Sequence, residues 1–460
     1  YIGMNVVIIG SGMAALGAIK ALRDRGIKPI VIDIASSHDH NSSNLKNELR
    51  SEVLRKKIKP ELQYSNMKGG FSNVWGGSVL CPPSSELADW PAEAIPTPED
   101  YKKCSEGITY TAADDGLNKY FSHPHLTFSD PPHDASAIHL IKKFKKLSSS
   151  NNQNILFKFG RARQFIDYKN GGCIFTAKTE IEVMQKNNHI TYIEGANVQK
   201  ITEECDKVII EYILNGSKET IEASSAFIGS GAVNTTKLLA KFCNLYNSKI
   251  KLKYVDSFVL PFFMTKHIAY NKDATQSSIF LELKDIKQSN TFSHIQISRP
   301  NEIILDLLKY KSLPNILKKA IVYCLGHTYT ALCGNHSDIS GYYEASLRKN
   351  GIQDSLLITK QIESQEKKRI LKTMSAILNS CGAYNLPMIS KNFHSHFYLG
   401  GSFPMKEIPT QINDTDILGR PKGAKRIYAI DSSVFPTIPA TTIGLLGMAN
   451  GYRIGRLAKL

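Results

Sequence analysis

Two glycines, an alanine and an aspartate pose the first chemical question of this 460-residue chain. In the stretch NVVIIGSGMAALGAIKALRDRGIKPIVIDIA, Gly10-x-Gly12-x-x-Ala15 follows directly on the apolar run Val6 to Ile9, and Asp33 stands 21 residues after Gly12. A turn of this kind can cradle phosphates. Gly10 permits the turn, Gly12 lets the backbone approach a pyrophosphate, and Ala15 keeps the following helix close to the strand. The helix start at Gly12, Met13 and Ala14 supplies free N–H groups and positive potential. Asp33 is placed to accept from the ribose hydroxyls of an adenosine, and its charge disfavours a 2′-phosphate. The reading is a dinucleotide site for FAD or NAD. The alternative is a nucleotide-free α/β turn.

The elements that must position this turn are legible around it. Val6 to Ile9 reads as a strand buried on both faces of a parallel sheet. Ala15, Ile19 and Leu22 recur at helical spacing, Gly26 ends the helix, and PIVID is the second strand. From Ile34 to Met67 the chain is polar and basic, which predicts a surface excursion with one helix. GGFSNVWGGSVL (69–80) follows, with four glycines beside one of the two tryptophans. Glycine is kept where backbone must come close to something or take φ > 0. This is either a tight turn on a core tryptophan or a floor against a large flat ligand.

CPPSSELADWPAEAIPTPEDY is a proline-rich crossing. Asn215-Gly216 joins two strands, and AFIGSGAVNTTKLL repeats the strand–glycine–helix device with a helix from Asn234. Between Tyr254 and Asp354, DSFVLPFFM, SSIFLEL, FSHIQIS and ISGYYEASL predict a separate, mostly antiparallel sheet. Residues 303–333 interrupt it with an amphipathic stretch rich in Leu, Ile and Lys. That stretch is either a helix packed on the sheet or one that meets a membrane surface or a partner.

Composition is that of an ordinary globular protein, 42% hydrophobic and 21% charged, and the length exceeds what one core of about 250–300 residues can fill. No run of about 18 uncharged apolar residues predicts a membrane span. MNVVIIGSGM reads as a strand entering a turn, not as a basic leader, so the expected location is cytoplasmic. The eight cysteines are scattered without CxxC or CxxxH spacing, which argues against metal ligation and fits reduced thiols. The net charge of +16 fits a lysine-rich solvated surface, an anionic substrate or an anionic membrane; no motif points to nucleic acid.

The C-terminal segment adds the strand RIYAID, Asp431, an apolar turn through Pro436 and a last helix. With the GxGxxA turn, GGFSNVWGG, DWP and SGAVNTTKLL, the chain resembles the glucose–methanol–choline (GMC) family of FAD-dependent alcohol oxidoreductases. The resemblance covers about half of the chain. It implies an α/β fold with a Rossmann-like FAD-binding domain (1–83, 191–250 and 396–460). It also implies a second α+β substrate domain on a mostly antiparallel sheet (84–190 and 251–395). By the same resemblance, Gly70, Ser72, Asn73, Trp75 and Gly76 line the flavin, Val198 meets the adenine, and Asp431 contacts the ribityl or phosphate region. Val74 stands where some relatives attach FAD through a histidine, so non-covalent FAD is expected.

Oxidising an alcohol requires a group that takes the hydroxyl proton, and a neutral imidazole, with a pKa near ~6.5, suits that role. The position implied by the resemblance falls on Phe397. A one-residue bulge before Leu399-Gly400-Gly401 would bring His396 into place; His394 is the other candidate. The second family position falls on Thr442, which can donate a hydrogen bond to the substrate oxygen. Thr441 or Thr442 could instead cap the last helix, whose N-terminus would then face the flavin. The resemblance implies oxidation of a sugar-like or other, possibly anionic, alcohol, with an electron acceptor that the sequence leaves open. The competing readings are an NAD-dependent or non-GMC oxidoreductase and a catalytically silent flavoprotein.

Overall fold

The computed structural model describes residues 5–35, 65–125, 127–148, 155–270, 276–286, 289–300, 310–349, 354–385 and 398–460. β1 (Val6–Ile9) runs into α1 (Met13–Asp24) and β2 (Ile30–Ile32), the unit expected around Gly10. α2 (Pro98–Ser105) and β3 (Ile155–Arg161) follow, and the chain rejoins the first sheet through β4 (Thr191–Ile193). A three-stranded antiparallel excursion over 197–223, with Asn215 and Gly216 at positive φ in its turn, leads to β5 (Ser225–Ile228) and α3 (Ala232–Phe242). Next come β6 (Ser257–Met264), β7 (Ile279–Asp285), β8 (Ser293–Ser298), α4 (Asn315–Leu325), β9 (Thr328–Asn335) and β10 (Ala383–Asn385). β11 (Ile427–Ala429) and α5 (Gly444–Leu457) complete the framework.

In space, β11, β5, β1, β2 and β4 form a sheet paired in parallel throughout. All residues of β1 and β5 are buried, as strands covered on both faces require. The second layer system is the six-stranded sheet β10-β6-β9-β8-β7-β3, antiparallel at every pairing. Its strands alternate with period two. One face buries Phe258, Leu260, Leu281, Ile295 and Ile297 against Leu140, Phe144, Ile370 and Met374 of helices Ala135–Ser148 and Glu366–Ser380. The other face carries Ser257, Glu282, His294, Gln296 and Leu332. The expected fold class, a Rossmann-like α/β domain joined to an α+β part on a mostly antiparallel sheet, is therefore the architecture observed.

The parallel sheet is locked to its helices by backbone contact. A Cβ on Gly17 would lie 1.9 Å from the Met448 carbonyl oxygen, and one on Gly451 would lie 2.0 Å from that of Ala14. α1 and α5 thus touch main chain to main chain, which fixes the start of α1 beside the second turn of α5.

Two expectations about local structure change. The helix expected from Asn234 begins earlier, at Ala232. The 303–333 stretch is not one element: α4 stops at Gly326, after which TYTALC alternates as β9; residues 301–309 lie outside the described ones. On α4 only Leu325 is buried, while Ile316 and Tyr323 are 78% and 61% exposed. The surface helix expected between Ile34 and Met67 falls largely on 36–64, also outside the described residues.

Candidate functional site

A cavity of about 840 Å³ runs from the turn after β1 to the polar face of the antiparallel sheet. Gly10, Gly12, Met13, Ala14, Asp33, Gly70, Ser72, Trp75, Gly76, Val198, Asp431 and Thr442 all line it. Asn73 is not among its lining residues; its amide donates to the carbonyls of Lys68 (2.7 Å) and Gly70 (2.9 Å) and stiffens the loop instead. His396 and His394 lie outside the described residues, although Tyr398, two positions after His396, lines the cavity.

The two glycines of the first turn do different work. Gly10 has φ +98°, and a Cβ there would sit 2.5 Å from the Gly229 carbonyl oxygen, so no other residue fits. Gly12 would meet nothing within 4 Å; its open side borders the cavity, the room a phosphate needs. Asp33, at the end of β2, accepts from the hydroxyls of Ser11 and Tyr192, the latter at 2.9 Å. Burial pushes its carboxyl above the usual range, and those hydroxyls pull it back.

The glycine-rich segment borders the cavity. Trp75 is half-buried, donates from Nε1 to the Phe175 carbonyl (2.7 Å) and lines the cavity. A Cβ on Gly444 would come 2.9 Å from its ring, so Trp75 lies against the start of α5. The Ser72 hydroxyl donates to the Gly69 carbonyl (2.6 Å) and accepts from the Ala177 N–H (2.9 Å). Val198 sits where the pairing of 197–203 with 208–214 slips by one residue. Asp431 is buried; it accepts from Thr235 (2.5 Å) and from the Ser433 N–H (3.0 Å), and burial pushes its carboxyl up.

Three helix N-termini meet at this cavity. Gly12, Gly231 and Ile443 occupy the N-cap positions of α1, α3 and α5, and none donates or accepts a side-chain capping bond. None of the three helices has an acid in its first turn. The expected capping of α5 by Thr441 or Thr442 is not observed. Both threonines precede Ile443, too far back to reach the first free N–H groups, and among the described residues their buried Oγ1 atoms have no partner. α2 shows the contrast: Thr97 and Asp100 close a capping box, with Glu99 also in the first turn. An uncapped helix start carries unsatisfied N–H groups and about half a positive charge. Three of them on one cavity suit an anionic ligand, with Asp431 already accepting from the Gly231 N–H at the start of α3.

The opposite wall was missed from the sequence. Ser257, His294, Gln296, Leu332 and Gly334 line it from the antiparallel sheet. The signal was present in FSHIQIS: His294 and Gln296 share one face of a strand whose other face holds Ile295 and Ile297. Lys237 of α3 also lines the cavity, with its ammonium pKa lowered by burial.

No family model matches the chain, and no curated protein matches it in sequence. Among solved structures it is similar to pyridoxine 4-oxidase from Mesorbium loti, with a TM-score of 0.65 and 13% identity over 99% of each chain. At that identity the likeness is one of fold.

Proposed function

We propose that the chain is a GMC-type flavoprotein that holds FAD non-covalently and oxidises the CH–OH group of a small-molecule alcohol. The observation that carries this is the convergence of three uncapped helix N-termini on a cavity that also opens onto Gly12 and Asp33. The residues fit the group: Gly12 leaves the space that a Cβ would fill, the starts of α1 and α3 offer N–H groups to a pyrophosphate, and Asp33 faces a ribose. Trp75 and the start of α5 would border the ring. Val74 offers no nucleophile for a covalent link. When bound, FAD would supply a two-electron acceptor for the hydrogen on the carbinol carbon.

The chain's own residues do the rest. The N-terminus of α5 favours negative charge at the ring edge. The Thr442 hydroxyl, without a partner among the described residues, donates to the substrate oxygen, and the resemblance points to His396 for the hydroxyl proton. Domain limits of 1–83, 191–250 and 396–460 for the FAD part, and 84–190 and 251–395 for the substrate part, belong to the same proposal. Eight free thiols support a reducing, cytoplasmic setting. Among the described residues no helix is long and apolar enough to cross a membrane. Exposed Ile316 and Tyr323 beside Lys318 and Lys319 support peripheral contact of α4 with an anionic membrane surface.

The test is anaerobic mixing of the FAD-loaded protein with pyridoxine, simple sugars and a series of primary and secondary alcohols. At least one should bleach the flavin absorbance. Flavin that stays oxidised with all of them, yet bleaches with dithionite, would favour the silent reading.

A further inference from the structure

The sheet wall presents to the cavity an imidazole that the reading above leaves unused. His294, on β8, is 2% exposed and lines the cavity. Its Nδ1 lies 2.6 Å from Oε1 of Glu282, its cross-strand partner on β7, which is wholly buried. A carboxylate at that distance accepts the Nδ1 proton, which selects one tautomer and leaves Nε2 as a bare acceptor. The edge contact with Phe280, at 4.9 Å between ring centroids, fixes the ring plane further. Among the described residues Nε2 has no hydrogen-bond partner. A buried acceptor left open is costly unless a ligand completes it.

The fold brings this atom's strand to the same end of the cavity as Thr442. Gly334 is the cross-strand partner of His294 on β9, and a Cβ there would lie 3.3 Å from the Ala440 carbonyl oxygen. Thr442 follows two residues later. Ser337 and Ile438 exchange hydrogen bonds of 2.9 Å (Ser337 N–H to Ile438 carbonyl) and 2.8 Å (Ile438 N–H to Ser337 hydroxyl), which pins the loop before α5 to the end of β9. On the face shared with His294, Gln296 accepts on Oε1 from Ser78 (3.2 Å) and Ser277 (2.9 Å), so this patch is held by its own bonds.

We infer that His294, in place of the His396 to which the resemblance points, is the catalytic base of this site and that Glu282 is its positioning residue. The inference rests on the flavoprotein reading. The substrate O–H bond breaks and its proton passes to His294 Nε2, giving an imidazolium held by the Glu282 carboxylate. The carbinol C–H bond breaks with its hydrogen and electron pair leaving to the flavin, which is reduced by two electrons as the alcohol becomes a carbonyl. Thr442 donates to the oxygen but takes no proton; His294 supplies the acceptor at that end.

Two measurements test this. The first is ¹⁵N NMR of the imidazoles in the FAD-loaded protein, with His294 assigned from His294→Asn. The expected state is neutral with the proton on Nδ1; Glu282→Gln should shift the tautomer balance and Glu282→Asp should restore it. A proton on Nε2 in the wild type would overturn the inference. The second is flavin reduction by whichever alcohol of the panel bleaches the wild type. His294→Asn and His294→Gln should slow it by about 10²-fold or more at saturating alcohol. KM should change little, and both variants should still bind FAD and bleach with dithionite. Glu282→Gln should lose about tenfold in kcat. Variants that bind FAD and reduce at the wild-type rate would overturn it; His396→Asn, made in parallel, shows whether the base lies there instead. A wild type that binds no FAD, or that no alcohol reduces, counts against the flavoprotein reading, and the same tautomer measurement on the unloaded protein then decides the dyad alone.

Discussion

The wall built from α1, α3 and α5 meets the cavity with main chain, whereas the wall built from β6, β8 and β9 meets it with side chains. On the first, glycines at 10, 12, 231 and 444 strip away side chains, and helix starts are left without caps. On the second, Ser257, His294 and Gln296 project from a sheet whose far face is wholly committed to packing. The difference teaches a division of labour. Main-chain N–H groups suit a ligand part that every turnover shares, such as a pyrophosphate. Individually placed side chains suit a variable substrate and the proton it gives up.

The contrast can be broken at Gly12. Gly12→Asp adds a carboxylate into open space beside three positive helix ends. It should lower FAD affinity by roughly 10²-fold or more while the melting temperature of the apo protein stays the same. Gly17→Val, five residues on, should do the opposite and unfold the chain, because its Cβ would meet the Met448 carbonyl. Circular dichroism melts and FAD fluorescence titrations separate the two outcomes. An unchanged FAD affinity in Gly12→Asp would remove α1 from the binding wall.

Asp33→Asn keeps the shape but loses the charge. It should weaken FAD binding by about 10- to 100-fold, the worth of one hydrogen bond to a charged group, without changing the flavin reduction rate at saturating FAD. Thr442→Val removes a hydroxyl that has no partner among the described residues. Stability should hold within about 0.5 kcal/mol, with flavin reduction slowed roughly tenfold. The smallest effect belongs to the capped helix: Thr97→Ala should cost about 1 kcal/mol in denaturant unfolding and leave FAD affinity untouched. If it weakened FAD binding as much as Gly12→Asp does, the distinction between capped and ligand-facing helix ends would fail.

The main-chain wall was legible in the sequence because its requirements are local. A buried strand, Gly10, Gly12, a helical apolar stripe and Asp33 all fall within about thirty residues, and SGAVNTTKLL repeats the device. The side-chain wall was not, because its members come together only through pairing across distant strands. FSHIQIS announces a strand and, through Ile295 and Ile297, its packed face, yet nothing in it tells that the polar face borders the turn after β1. Glu282 becomes the partner of His294 only through the β7–β8 register. Thr442 was misjudged as a possible cap for a similar reason: the helix starts two residues after it, at Gly444, a boundary that propensity alone does not fix. Asn73 belonged to the right segment, but its amide is spent on its own loop.

The most direct test of the account is an equilibrium titration of the apo protein with FAD and, separately, with NADH, followed by acid precipitation of the loaded protein. The account predicts saturable uptake of FAD, no competing uptake of NADH, and release of all flavin into the acid supernatant. A protein that takes up NADH but not FAD, or whose flavin stays with the precipitate, would contradict it.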